Sequence, residues 1–209
     1  EDLEGARQHF SRAMQISPRD PSTYNNLGHV FSEQGALPNA ERCYRAALRI
    51  RPEQEEVHYN LGQVLQEMGD LEGAEERYLT ALRTQPGDAA VHWSLGDVLM
   101  ERGDLVGAEE SLRTALRIAP ADPSAHGKLG LVLNERGNLP ASRDCFRTAV
   151  QINPQDAESH NNLGLVINMQ GNLTGAEKCY LASLEINPSQ APAHYNLALV
   201  RREMGNTVG

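Results

Sequence analysis

The sequence is poor in basic residues and contains no long apolar run. Among its 209 residues, 19 Lys and Arg stand against 28 Asp and Glu, which gives a formal net charge of −9. A protein that binds nucleic acid needs a basic stripe facing the phosphates, so this balance argues against a nucleic-acid partner. No apolar stretch approaches the roughly 20 residues that a membrane-spanning helix requires, and we expect no membrane contact from this segment.

The motifs of common catalytic and metal sites are also missing. The chain contains no HExxH, CxxC or GxSxG motif and no phosphate-binding loop. Five histidines recur every 34 residues: His58, His92, His126, His160 and His194. Metal ligands must all lie about 2.0–2.1 Å from one ion, whereas equivalent residues of stacked helices are roughly 10 Å apart. We therefore predict packing roles for the histidines, no metal or other cofactor, and no enzymatic activity.

What the chain has instead is a period of 34 residues that runs through its whole length. One register consists of prolines: Pro18, Pro52, Pro86, Pro120, Pro154 and Pro188. Glycine fills a second register at Gly28, Gly62, Gly96, Gly130 and Gly164, and a third from Gly35 to Gly205. Leucine fills a fourth register from Leu27 to Leu197. A period in this range indicates a solenoid, whose small units stack on their neighbours.

Each unit resembles the tetratricopeptide repeat, or TPR. The residues that carry the resemblance in one unit are His58-Tyr-Asn-Leu61-Gly62, Ala74, Tyr78, Ala81 and Pro86. The match extends over essentially the whole chain. The resemblance implies an all-α fold, a right-handed TPR superhelical solenoid of antiparallel helix pairs A and B. It also implies a concave face on which such proteins bind their partners.

The period divides the chain into one array covering residues 1–209. Residues 1–20 form a partial repeat with helix B only, and residues 191–209 form a partial repeat with helix A and the beginning of the next turn. The complete repeats are 21–54, 55–88, 89–122, 123–156 and 157–190. Because both ends fall inside a repeat, we expect a segment of a longer array.

Small and turn-forming residues predict how the two helices of a unit are joined. Gly69 is expected to end helix A in a left-handed conformation, and Asp70 is expected to cap helix B. Gly62 should let the two backbones approach closely, with Tyr78 filling the space beside it. Arg201 departs from the pattern, because the equivalent positions of the earlier repeats are apolar.

The resemblance places the sixth residue of helix A on the concave face, where asparagine predominates. The residues at this position are Asn26, Asn60, Ser94, Lys128, Asn162 and Asn196. An amide can both donate to and accept from the backbone of an extended peptide. The pattern is similar to the asparagine ladder in the TPR superhelix of O-GlcNAc transferase, although Ser94 and Lys128 interrupt it. In the alternative interpretation, the amides cap or bridge successive A helices within the scaffold.

Aromatic and acidic residues add to this predicted peptide-binding face. Tyr59 and Trp93 share the fifth position of helix A, and Gln63 lies one turn beyond Tyr59. If the two aromatics face the concave surface, they form a binding hot spot. Glutamates recur at the thirteenth position: Glu33, Glu67, Glu101, Glu135 and Glu203. They form either an acidic rail or a solvated helix edge, and we predict an extended, non-acidic protein or peptide partner.

Two other functions compete with this interaction scaffold. In one, the segment is the substrate-recognition arm of a larger glycosyltransferase-type enzyme. In the other, the array associates end to end through apolar residues such as Leu197 and Val200. The cysteines share one repeat position, which sets them too far apart for a disulfide. Three free thiols, Cys43, Cys145 and Cys179, favour a reducing, cytoplasmic location.

Overall fold

The computed structural model describes residues 3–206 and is helical, without strands, throughout that range. It divides into two compact units, Glu1–Asp104 and Leu105–Gly209. The first unit holds α1 (Leu3–Ile16), α2 (Pro21–Glu33), α3 (Leu37–Ile50), α4 (Glu55–Glu67), α5 (Leu71–Thr84) and α6 (Ala89–Glu101). The second holds α7 (Leu105–Ile118), α8 (Pro123–Glu135), α9 (Leu139–Ile152), α10 (Ala157–Met169), α11 (Leu173–Ile186) and α12 (Ala191–Asn206).

Consecutive helices pack against one another within each unit. In the first unit each helix contacts the next from α1 to α6, and the A helices α2, α4 and α6 also contact in sequence. In the second unit each helix contacts the next from α7 to α12, and α10 contacts α12. This nearest-neighbour packing is the arrangement of a solenoid. The single array over residues 1–209 stays a prediction.

The turn from helix A to helix B is made by glycine, as predicted. Gly69 has a φ of +81°, and the N–H of Asp70 donates to the carbonyl of Leu65 at 2.9 Å. The Asp70 carboxylate then accepts from the N–H of Gly73 at 3.0 Å, which caps α5. The other glycines with positive φ are Gly35, Gly103, Gly137 and Gly171.

The turn expected at Gly205 is absent, because α12 continues through this glycine to Asn206. Glycine permits a left-handed conformation but does not impose it. At Gly69 the turn is accompanied by the packing of α5 back onto α4.

A glycine on each of four A helices, α2, α4, α8 and α10, makes room for an aromatic ring on the following B helix. A Cβ atom built on Gly62 would lie 2.5 Å from Cε1 of Tyr78, whose side chain is fully buried. The same close approach joins Gly28 to Tyr44, Gly130 to Phe146 and Gly164 to Tyr180, with hypothetical Cβ distances of 2.7, 2.8 and 2.7 Å. The predicted packing of Tyr78 beside Gly62 is confirmed.

The five periodic histidines have a structural role that involves a specific hydrogen bond. Nε2 of each histidine donates to the carbonyl oxygen of the proline six residues earlier, at 2.8–3.1 Å. The pairs are His58 with Pro52, His92 with Pro86, His126 with Pro120, His160 with Pro154 and His194 with Pro188. Each bond ties an A helix to the loop that precedes it.

The last helix contradicts the expectation of an open apolar end. Leu197 is 7% exposed and Val200 is fully buried, because both pack against Ala176 and Tyr180 of α11. These two residues therefore offer no apolar surface for end-to-end association. Arg201 projects instead toward Glu177, and its Nε donates to the carboxylate at 2.8 Å. The ion pair explains how a charge replaces the usual apolar residue.

Alkaline pH is expected to destabilise the protein through its buried tyrosines. Burial raises the pKa of Tyr180 to about 12 and also raises the pKa of Tyr44 and Tyr78. The contribution of these tyrosines to the free energy of unfolding is fully present below about pH 10, the pKa of tyrosine in the unfolded chain. It is lost as the pH rises from about 10 toward 12, since the unfolded state then binds fewer protons than the folded state.

The melting temperature measured by circular dichroism should therefore fall more steeply with pH above 10 than below it. The Tyr180→Phe variant, which keeps the ring without the ionisable group, should show a shallower fall. Equal slopes for the two proteins would contradict the assignment for Tyr180.

Candidate functional site

A cleft of about 300 Å³ opens on the first unit between α4 and α6. Its lining residues are Gln63, Gln66 and Glu67 of α4, Tyr78 of α5, and Trp93, Ser94 and Glu101 of α6. Three residues of the predicted peptide-binding set, Gln63, Trp93 and Ser94, are thus brought together. Trp93 is half-buried, whereas Ser94 is only 3% exposed and lies at the floor of the cleft.

Two aromatic residues, Tyr78 and Trp93, line this cleft, and Tyr59 packs against Tyr78. The ring centroids of Tyr59 and Tyr78 are 5.9 Å apart, and the ring planes are tilted by 44°. The hydroxyl of Tyr59 accepts from Nε2 of Gln63 at 3.1 Å, which fixes both side chains along α4. Trp93, which is half-buried, provides rigid apolar surface of the kind that dominates binding energy in protein interfaces, whereas the ring of Tyr78 is fully buried beneath the cleft.

Gln66 organises the polar side of the cleft. Its Nε2 donates to a carboxylate oxygen of Asp97 at 2.9 Å and to one of Glu101 at 2.8 Å. Its Oε1 accepts from the hydroxyl of Tyr78 at 3.1 Å. Burial raises the pKa of Tyr78, so this hydroxyl keeps its proton. Gln66 was not among the predicted site residues, although its position one turn after Gln63 on the same helix was an available signal.

Two asparagines of the predicted ladder, Asn60 and Asn196, each pair with an asparagine outside the ladder, on the preceding A helix. In the first unit, Nδ2 of Asn60 donates to Oδ1 of the buried Asn25 at 3.2 Å. In the second unit, Nδ2 of Asn196 donates to Oδ1 of the buried Asn161 at 3.1 Å. Each pair joins the sixth residue of one A helix to the fifth residue of the preceding A helix. These bonds are the bridges of the alternative interpretation, and peptide contact by the ladder stays a prediction.

The remaining predicted residues are dispersed. Asn26 is exposed on α2, and Lys128 is half-buried on α8. Asn162 of α10 is half-buried, and its Oδ1 accepts from Nδ2 of Asn161 at 3.4 Å. Their roles in binding are not tested by this geometry.

Two glutamates of the predicted acidic rail border the cleft. Glu67 and Glu101 are both exposed, and Glu101 also accepts the hydrogen bond from Gln66. Within residues 3–206 no cluster of His, Cys, Asp or Glu has the geometry to hold a metal ion. None of the described helices combines the length and the apolar character needed to cross a membrane.

Solved structures similar to this chain share its fold. YrrB, described as a TPR protein with an unusual peptide-binding site, has 22% identity over 91% of this chain and 98% of that chain, with a TM-score of 0.76. PilF of Pseudomonas aeruginosa has 22% identity over 94% and 90% of the two chains, with a TM-score of 0.82. MamA from Desulfovibrio magneticus RS-1 has 23% identity over 82% and 97%, with a TM-score of 0.77. At these identities the likeness shows the fold alone, which is the predicted all-α TPR solenoid.

No curated protein matches the chain. A family model does, and it covers residues 2–206. The family is described as the cilia and flagella-associated protein 70 C-terminal domain, and the matched region includes all twelve described helices. The helical repeats, the glycine turns and this match lead to one conclusion: the chain belongs to the family of the cilia and flagella-associated protein 70 C-terminal domain, a family of TPR arrays.

Proposed function

We propose that the chain is a protein-interaction scaffold that holds an extended, non-acidic peptide segment in the cleft between α4 and α6. The TPR family and fold support a protein-interaction scaffold in general. The observation that carries the finer proposal is the cleft itself, where Trp93 lies beside Tyr78 and two exposed glutamates border the opening.

The size of the cleft suits one anchoring side chain of a peptide. A volume of about 300 Å³ is at the lower end of the range for ligand pockets. An apolar or aromatic anchor would pack against the half-buried ring of Trp93, where burial of apolar surface stabilises the complex. The exposed amide of Gln63 can donate to and accept from the peptide backbone beside the anchor.

The charge at the opening selects the neighbouring residues of the peptide. Glu67 and Glu101 favour Lys or Arg next to the anchor, because attraction between opposite charges raises the association rate. The same two glutamates repel acidic competitors. Contacts of the peptide with Asn26, Asn60, Lys128, Asn162 and Asn196 remain part of the proposal for a longer segment. The idea of an arm of a larger enzyme and the expected lack of catalytic activity stay predictions.

Trp93→Ala is expected to weaken peptide binding at least about 30-fold, because truncation of an aromatic hot spot costs roughly 2 kcal/mol or more. The probe is the most enriched sequence from a displayed library of random 12-residue peptides selected against the unmodified chain. Fluorescence anisotropy of the labelled peptide gives the dissociation constants. We expect the selected sequences to combine an aromatic or apolar residue with Lys or Arg.

Tyr195→Ala is the matched control. Tyr195 occupies the same repeat position as Trp93 but belongs to the second unit and is 66% exposed. The control should leave the affinity unchanged, and circular dichroism should show full helicity for both variants. Equal affinity of Trp93→Ala and the unmodified chain for every basic peptide selected would refute the proposal.

A further inference from the structure

A second and larger cleft, of about 740 Å³, lies on the first unit and is lined mainly by the B helices α3 and α5. Its floor includes Leu61 and Leu65 of α4, and both leucines are core residues of the helix pair. Four arginines line its walls together with the carboxylates of Asp70 and Glu76; the arginines are Arg42, Arg45 and Arg49 of α3 and Arg77 of α5. The cleft thus combines an apolar floor with guanidinium groups on its walls.

Part of this positive charge is already neutralised within the scaffold. Arg45 pairs with Glu41 on its own helix at 2.9 Å, and Arg77 pairs with Glu76. Arg42 and Arg49 are exposed, and neither forms an ion pair with any residue between 3 and 206. Two guanidinium groups therefore remain available to a carboxylate from outside.

The repeat pattern does not require a basic residue at the position of Arg42. The equivalent residues of the next repeats are Glu76, Glu110, Asp144 and Lys178. Three of these four are acidic, and the chain as a whole carries a net charge of −9. Arg42 is thus a local departure from both the repeat and the overall charge.

We propose that this cleft binds an acidic segment of a partner protein. An apolar side chain of that segment would lie over Leu61 and Leu65, and flanking carboxylates would pair with Arg42 and Arg49. Arginine suits this role because its planar guanidinium can hold a carboxylate through two parallel hydrogen bonds. Recognition of acidic motifs by arginine clusters is a recurring mode of peptide binding.

This surface is distinct from the cleft between α4 and α6. It is formed mainly by B helices rather than A helices, and it selects acidic instead of basic segments. Trp93 does not line it. Binding at either cleft can therefore be tested, and refuted, independently of binding at the other.

The test is a double charge reversal, Arg42→Glu/Arg49→Glu. A displayed library of random 12-residue peptides is selected separately against the unmodified chain and the variant. The unmodified chain should enrich peptides that contain Asp or Glu beside Leu, Ile or Phe, and the variant should not. The most enriched acidic peptide should bind the variant at least tenfold more weakly in fluorescence anisotropy, and its affinity for the unmodified chain should fall between 50 and 300 mM NaCl.

Arg113→Glu/Arg117→Glu is the control, because these residues occupy the positions of Arg45 and Arg49 two repeats later and the net charge changes equally. The control and Trp93→Ala should both retain the acidic peptide. Failure of the unmodified chain to enrich acidic peptides, or equal binding by Arg42→Glu/Arg49→Glu, would overturn the proposal. A second copy of the chain is the other possible occupant, and light scattering tests for it. Concentration-dependent dimers that Arg42→Glu/Arg49→Glu abolishes would assign the cleft to a second copy of the chain and overturn the proposal.

Discussion

Tyr180→Ala is expected to lower the free energy of unfolding by about 3–5 kcal/mol, the cost of truncating a large buried aromatic side chain. Tyr180 is fully buried, and its ring fills the space beside Gly164 where a Cβ atom would lie only 2.7 Å away. It also packs with Leu197 and Val200, so its loss leaves a cavity that α10, α11 and α12 share. Urea unfolding followed by circular dichroism measures the change, and hydrogen exchange should show the greatest loss of protection in these three helices.

Tyr180→Phe is the control that separates the ring from the hydroxyl group. The hydroxyl oxygen of Tyr180 is buried and has no hydrogen-bond partner within the described residues. Removing a buried polar group that makes no hydrogen bond is expected to be neutral or stabilising. Phe146 occupies the equivalent position one repeat earlier and packs against Gly130 in the same way. A loss of stability for Tyr180→Phe as large as that for Tyr180→Ala would contradict the packing account.

Gly62→Ala is expected to lower the free energy of unfolding by about 1–3 kcal/mol, the usual cost of overpacking a core. The added Cβ would lie 2.5 Å from Cε1 and 2.8 Å from Cδ1 of Tyr78, whose ring is enclosed on all sides. Either the ring or the backbones of α4 and α5 must therefore shift. Urea unfolding gives the change in stability, and hydrogen exchange should locate it in these two helices.

Gly127→Ala applies the same substitution to another A helix and is expected to have the opposite effect. A Cβ on Gly127 would meet only Oγ of Ser159 at 3.8 Å, an ordinary van der Waals distance. Alanine in a helix interior is favoured over glycine by roughly 1 kcal/mol, so the variant should be more stable. If both substitutions changed stability in the same direction, the close approach of Gly62 to Tyr78 would not be the deciding factor.

The fold could be predicted from the sequence because the same local sequence signals recur in several repeats. Gly69 and Asp70 specify a turn and a cap through short-range interactions, and the recurrence of such pairs made the assignment secure. Gly205 shows the limit of this reasoning. A glycine in register does not make a turn unless a second helix packs back, and that condition depends on residues far from the glycine itself.

The candidate site was predicted less completely, because side-chain partners lie outside the local pattern. Periodicity placed Asn60 on helix A but did not show that Asn25, 35 residues earlier, takes one of its hydrogen bonds. Gln63 and Trp93 were found from their position in the repeat, whereas Gln66 gains its role from contacts across three helices. The basic cleft was not predicted, because it is lined mainly by B helices and the binding pattern of the family lies on the A helices. Its signal in the sequence is the replacement of the acidic residues Glu76 and Glu110 by Arg42 at the equivalent position.

The hydrogen bond from each periodic histidine to a proline carbonyl has a consequence for how such an array can change its length. The bond spans six residues and lies wholly within the joint between one helix pair and the next. A connection of this kind is stabilised by a local hydrogen bond and does not depend on residues in distant parts of the chain. Deleting or duplicating a block of 34 residues between two such prolines would leave every joint intact, so the number of repeats can vary while the geometry of each connection is inherited unchanged.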